Sequence, residues 1–276
     1  MELYTKSAYK LSRDLTRAYS TSFSASIRLF SPDLRYHISA IYGLVRIADE
    51  IVDTYTGVDK RQLLDDLERE TKAAIKRGYS TNPIVHSFAV TAKQYKITND
   101  LIVAFFKSMR LDLSPKYFTQ ALYETYIYGS AEVIGLMSLK VFTNDEALYK
   151  KLEKGAARLG AGYQKVNFLR DINDDANVLG RWYFPNSSYE TFTDKTKQSI
   201  IKDIEKDFAA GERSALKLPE SSRKAVLLSI AYYRALLVKI ANTPAETLKL
   251  QRIRINNAHK STLFLKTLVK RNTNDS

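Results

Sequence analysis

The stretch Gln164-Lys165-Val166-Asn167-Phe168-Leu169-Arg170-Asp171-Ile172-Asn173-Asp174-Asp175 sets the fold class of this chain. An α-helix advances about 100° per residue. Gln164, Asn167, Asp171 and Asp175 therefore fall on one narrow stripe of one predicted helix. Two carboxylates and two amides then face the same way, and oxygen is the donor that a hard cation such as Mg²⁺ takes. Asp171 and Asp175 repel each other by about 0.2–0.5 kcal/mol in an isolated helix, and a cation would turn that repulsion into attraction. Lys165 lies about 100° round the helix from Gln164, off the stripe.

Much earlier, Arg46-Ile47-Ala48-Asp49-Glu50-Ile51-Val52-Asp53 repeats the i,i+4 carboxylate pair with Asp49 and Asp53. Tyr42, Arg46, Asp49, Glu50 and Asp53 share one side of this amphipathic helix, opposite Ile41, Leu44, Ile47, Ala48, Ile51 and Val52. A solvated polar face with an Arg46–Asp49 ion pair is the plainer account. It weakens once two acidic stripes share one spacing, because two such stripes can face each other across a cavity.

Tyr19-Ser20-Thr21-Ser22-Phe23-Ser24 offers hydroxyls and backbone N–H groups to an anion, or is an ordinary Ser/Thr-rich turn. Tyr126 through Met137 sets small residues among aromatics within a helix, where glycine costs about 1 kcal/mol relative to alanine. Close helix packing, a kink or room for a ligand would each explain it. Gly155, Gly160 and Gly162 do not make Gly-x-Gly-x-x-Gly, since Lys165 holds the last position, and no strand precedes them. Beyond the acidic stripe, Gly180-Arg181-Trp182-Tyr183-Phe184-Pro185 forms a turn; Arg170 and Arg181 put positive charge where phosphate could be held. Tyr232, Tyr233, Arg252 and Arg254 read as core aromatics and surface charge.

Periodicity is helical almost throughout. Helices are predicted over about 2–20, 33–56, 58–78, 84–95, 97–111, 117–140, 145–176, 194–213, 220–242 and 245–268. The six prolines lie between them. No linker divides the 276 residues, so residues 1–276 are expected to form one all-α domain. Residues 58–111 read as scaffold. With no cysteine, disulfides and thiolate metal sites are excluded, and three scattered histidines make a zinc enzyme a poor fit. The net charge of +13 favours polyanions: nucleic acid, acidic headgroups or phosphorylated substrates. No apolar run reaches the ~20 residues of a membrane span, and Met1–Lys6 is unlike a signal peptide. A cytoplasmic protein with peripheral membrane contact is expected.

Taken together, these segments resemble the head-to-head trans-isoprenyl diphosphate synthases: squalene, dehydrosqualene and phytoene synthases. The resemblance runs from about residue 15 to 260. It rests on Ser20 to Phe23, Arg46-x-x-Asp49-x-x-x-Asp53, Tyr126 through Gly135, Gln164-x-x-Asn167-x-x-Arg170-Asp171-x-x-x-Asp175, and Gly180-Arg181-x-Tyr183-Phe184-Pro185. Five modest pieces in the right order are specific, and they are most similar to the bacterial phytoene synthases. Two positions depart from the pattern. Tyr19 stands where many members have histidine, and Glu132 where many have glycine.

The resemblance implies an all-α isoprenoid synthase bundle around a central cavity, with the acidic stripes at its mouth. It implies head-to-head condensation of two geranylgeranyl diphosphates, through a cyclopropylcarbinyl diphosphate, to phytoene, the first committed step of carotenoid biosynthesis. The residues it marks as catalytic are Asp49, Asp53, Asp171, Asp175 and Tyr126. Asp49, Asp53, Asn167, Asp171 and Asp175 would hold Mg²⁺, or Mn²⁺ in its place. Ser20, Ser22, Tyr42, Arg46, Gln164, Asn167, Arg170, Arg181, Tyr233 and Arg252 would hold substrate diphosphate. No NADPH and no nucleic-acid partner are expected. The rivals are a squalene or dehydrosqualene synthase acting on farnesyl diphosphate, and a non-catalytic basic helical protein that binds polyanions or membrane.

Overall fold

A computed structural model describes residues 2–57, 59–114 and 118–269. The predicted helix starts at 58 and 117, the proline at 115 and the polar chain end at 270–276 lie outside the described residues. The chain is 79% helical. The first three helices are α1 (Leu3–Tyr19), α2 (Thr21–Ile27) and α3 (Pro32–Asp49), the last running into a π turn over Glu50–Thr54. Then come α4 (Lys60–Arg77), α5 (Pro83–Gln94), α6 (Asn99–Leu111) and α7 (Gln120–Ile127). A second π turn, Tyr128–Glu132, leads into α8 (Val133–Thr143). The chain continues as α9 (Glu146–Arg170), α10 (Ile172–Asn177), α11 (Asp194–Ala215), α12 (Glu220–Ala241), α13 (Ala245–Leu250) and α14 (Asn257–Val269).

Local signals set most boundaries. Asp59, Asn82, Asp145 and Thr193 each cap a helix by accepting a backbone N–H of its first turn, a contribution of about 1 kcal/mol apiece. Pro32 and Pro83 open α3 and α5, where a missing N–H costs nothing. Gly78 closes α4 in the left-handed region at φ 82°. One continuous hydrophobic core runs from Ile27 to Ile253, with Phe88, Phe105, Phe106, Phe192 and Phe208 fully buried.

Four expectations are corrected. Thr21–Ile27 is helical rather than a loop, because Ser20 accepts the Phe23 N–H and starts a short helix. The predicted helix over 145–176 is interrupted at Asp171 (φ −105°, ψ 11°). The last predicted helix breaks between α13 and α14. Both 33–56 and the mid-chain helix contain π turns. The small residues of the mid-chain segment serve close packing. A Cβ on Gly129 would sit 2.3 Å from the Ala104 carbonyl oxygen, and one on Gly160 would sit 2.5 Å from that of Ala131. These contacts press the second π turn against α6 and α9.

Candidate active site

α3 presents Tyr42, Arg46 and Asp49 near its C-terminal end, and the π turn carries Asp53. Tyr55 N–H bonds the Glu50 carbonyl at 2.9 Å, the i→i−5 closure of that turn. One extra residue per turn re-aims Asp53 relative to Asp49; such π insertions recur at functional sites. Arg46 pairs with Glu50, stays 3.8 Å from Asp49, and lays its guanidinium 4.3 Å from the Tyr19 ring centroid. The simple Arg46–Asp49 pair is thus secondary to an i,i+4 pair.

The second stripe keeps its spacing through the break. The N–H of Asp171 bonds the Asn167 carbonyl and that of Asp175 bonds the Asp171 carbonyl, both at 2.9 Å. Asn167 receives the Tyr233 hydroxyl and donates to the Gln164 amide oxygen, each at 3.3 Å. Arg170 grips Asp171 with two bonds, at 2.8 and 2.6 Å. Arg252, from the segment after α13, adds a contact at 2.8 Å. Tyr233 stacks on Tyr163 at 3.9 Å. Gln164, Asn167, Arg170, Asp171, Tyr233 and Arg252 therefore form one connected group.

Arg181 joins the two motifs. Its backbone N–H bonds the Asp175 carbonyl at 2.7 Å, and its side chain donates to Asp53 at 2.7 Å and to the Asp112 carbonyl at 2.8 Å. Gly180, at φ 63°, makes the turn that delivers it. Only 6% exposed, Arg181 is a clamp between the motifs. The resemblance implies that Arg181 also holds diphosphate; the contacts it makes here are to protein groups. Behind it, the Asp112 carboxylate accepts the hydroxyls of Tyr126 at 2.7 Å and Tyr183 at 2.9 Å. Phe118, Tyr126, Phe168 and Tyr183 pack into an aromatic wall, with Phe168 stacked on Tyr183 at 4.1 Å.

The site holds more negative charge than its arginines neutralise. Burial, then the charge of Asp53, pushes the Asp49 carboxyl up to about 7. Burial, then Asp171, pushes Asp175 up to about 8, with Asp53 and Asp112 adding to it. Burial raises Asp112 to about 6 against the pull of Arg181. Two motifs some 120 residues apart in sequence thus sense each other's charge. An oxygen donor set with surplus negative charge fits a hard divalent cation. Among the described residues no three acidic or imidazole groups converge at ligating distance. Asp53 is turned to Arg181, and Asp171 to Arg170 and Arg252.

Tyr42 lies between the groups: its hydroxyl, pushed up to about 12 by burial, senses Arg46, Asp49, Tyr233 and Tyr19. Ser20 acts as the α2 cap, and half-buried Ser22 sits two residues on. Glu132 is half-buried, its carboxyl raised by burial and opposed by Arg158. Asp112 and Tyr183 were missed as functional groups. Asp112 belongs to no spaced motif, but the aromatic run after Gly180 was a usable signal for Tyr183.

A family model described as squalene/phytoene synthase matches residues 16–259. Phytoene synthase 3 of Zea mays is 27% identical over 85% of this chain, which spans 59% of that relative's length. A presqualene diphosphate synthase of Zymomonas mobilis is 28% identical over 75% of this chain and 69% of its own. A crystal structure of a dehydrosqualene synthase superposes with a TM-score of 0.81 at 19% identity, covering 96% of each chain.

Proposed function

Because the chain belongs to the squalene/phytoene synthase family, whose members are metal-dependent prenyltransferases, we propose that it condenses two geranylgeranyl diphosphates head to head into phytoene. The observation that supports a two-substrate site is the Arg181 junction, which ties the Asp53 carboxylate to the Asp175 backbone and so brings the two acidic motifs together. The maize relative's name supports the twenty-carbon substrate. The Zymomonas relative's name favours a second reading, in which two farnesyl diphosphates are joined.

Asp49, Asp53, Asn167, Asp171 and Asp175 would hold Mg²⁺, which when bound supplies charge stabilisation for a departing diphosphate. For the cation to be held, Asp171 and Asp53 must share their arginines. Arg170 and Arg252, both on Asp171, are then free to turn their donors to diphosphate oxygens. Arg46, Tyr42, Gln164 and Tyr233 would hold diphosphate as well, together with Ser20 and Ser22 of the α2 start. One substrate loses diphosphate to give an allylic cation, and the double bond of the other attacks it. A cyclopropylcarbinyl diphosphate forms, ionises, rearranges and loses a proton. The packed wall of Tyr126, Phe168 and Tyr183 would border such cations with aromatic surface and exclude water. The Tyr126 and Tyr183 hydroxyls are held well above their usual range by burial, then by Asp112, so both stay neutral donors. No step needs a reductant.

Residues 1–276 act as one domain in this reading. No described helix is long and apolar enough to cross a membrane, and the +13 charge supports peripheral contact with an anionic surface that receives the apolar product. The test is incubation with farnesyl and geranylgeranyl diphosphate separately, with Mg²⁺ and without NADPH. A forty-carbon hydrocarbon is expected; product from farnesyl diphosphate alone would select the second reading.

A further inference from the structure

Away from the acidic motifs, a cavity of about 120 Å³ opens between α1, α2 and the start of α3. Arg13, Arg17, Arg28 and Arg35 line it together with Ser24. A shallower space of about 430 Å³ adjoins it and shares Arg17, Ser24 and Arg28. Neither is lined by a carboxylate. Asp14, 47% exposed, stays 3.6 Å from Arg13 and 3.7 Å from Arg17, beyond hydrogen-bond distance.

We infer that this groove is a binding site for a phosphate-type oxyanion, separate from the catalytic centre. Like charges side by side weaken a fold unless something neutralises them, and here four guanidinium groups line one groove whose lining residues include no carboxylate. Two of the four show preparation for a ligand. Arg35 is fixed by donating to the Phe30 and Arg28 carbonyls, both at 2.9 Å, which leaves three of its five N–H donors unused by those bonds. The Nε of Arg13 is buried without a hydrogen-bond partner among the described residues. Planar guanidinium groups match the spacing of phosphate oxygens with paired donors.

The helix geometry separates this groove from the acidic site. Thr21, Ser24, Ala25 and Arg28 recur at helical spacing along one stripe of α2. Phe23, off that stripe, stacks on Tyr42 of the catalytic group at 5.1 Å. Lys260 of α14 donates to Thr21 at 3.0 Å and adds a cation at the rim. The phosphate can come from a free ion or from a lipid headgroup with a terminal phosphate.

The test uses the full chain in excess chelator, which silences metal-dependent diphosphate binding at the acidic motifs. Inorganic phosphate and pyrophosphate are titrated by calorimetry. In parallel, phosphatidylcholine vesicles with and without phosphatidic acid are sedimented with the protein. Saturable binding is expected, weakened at least tenfold in Arg17→Gln/Arg28→Gln. It should persist in Lys150→Gln/Lys151→Gln, which removes the same charge from α9, and in Arg46→Gln. Circular dichroism establishes that each variant is folded. Binding of the free ions alone assigns the site to soluble phosphate, and a phosphatidic acid preference lost in the groove variant assigns it to a headgroup. Equal binding by the two double variants, or no binding of any of the three probes, overturns the proposal.

Discussion

Arg181 donates to Asp53 across 128 residues of chain at 2.7 Å, while its own backbone N–H holds the Asp175 carbonyl. One buried guanidinium thereby ties the π turn after α3 to α10. These contacts hold the two motifs together, beside the diphosphate-holding role that the resemblance implies for Arg181.

Removing that clamp should be costly. Arg181→Ala strands the buried Asp112 carboxylate and leaves the Val52 and Asp112 carbonyls without their donor. Breaking a buried charged pair costs about 3–5 kcal/mol. Urea unfolding should show a loss of that order, with Arg181→Lys losing less. A loss under about 1 kcal/mol in Arg181→Ala would remove the clamp from the account.

Lys165 makes a second stability test. Off the acidic stripe, it is only 6% exposed and pairs with Asp203 and with Asp207, itself 0% exposed, at the contact between α9 and α11. Lys165→Ala should destabilise by about 3 kcal/mol, because Asp207 keeps a buried charge with Arg158 as its remaining partner. Lys165→Met with Asp207→Leu should recover most of the loss. A double variant no more stable than Lys165→Ala would contradict this.

Acid stability should depend on His37. Its ring is buried against Tyr9 and Thr91, and burial lowers its pKa from 6.5 to about 4, with Asp33 opposing. Between those values the unfolded chain takes up a proton that the folded state refuses, so stability falls as pH falls. The slope for one proton is about 1.4 kcal/mol per pH unit, and the contribution is fully present above 6.5. His37→Gln should flatten the urea midpoint between pH 4.5 and 6.5. An unchanged slope in the variant would rule His37 out.

Cation binding should follow the opposite logic. Asp49 and Asp175 are raised to about 7 and about 8, so without a cation both hold protons in the folded state that the unfolded chain releases. Their contribution to stability then declines as pH rises from about 4 toward 8. A divalent cation needs both ionised. Mg²⁺ affinity should climb by up to about tenfold per pH unit for each proton released, over pH 6 to 9, with protons appearing in the buffer. Calorimetry in buffers of different ionisation enthalpy reads this directly; pH-independent affinity would exclude these carboxylates as ligands.

Much of the architecture was legible because it rests on local signals: the 3.6-residue period, Asp, Asn and Thr caps, and proline at helix starts. The two acidic motifs were legible for the same reason, being spacings within single helices. What escaped depended on contacts distant in sequence. The break at Asp171 accompanies its capture by Arg170 and Arg252, the latter 81 residues away. The π turns accompany close approaches such as Gly129 on α6. Asp112 follows a scaffold-like helix and gains its place only when Tyr126, Tyr183 and Arg181 surround it. Lys165 reads only as a position off the acidic stripe until α11 brings Asp203 and Asp207 to it.

Asp49→Asn tests the central claim most directly. Asp171 is held by two arginines, so its substitution mixes folding with chemistry. Among the described residues Asp49 has only Arg46, at 3.8 Å, as a cationic partner, and it is repelled by Asp53 and Asp112. The amide keeps size and hydrogen bonding while relieving that repulsion, so the urea midpoint should hold or rise. Turnover of geranylgeranyl diphosphate with Mg²⁺ should fall at least about a hundredfold, the scale of several kcal/mol of lost transition-state stabilisation. A stable Asp49→Asn protein with wild-type turnover at limiting Mg²⁺ would contradict the account.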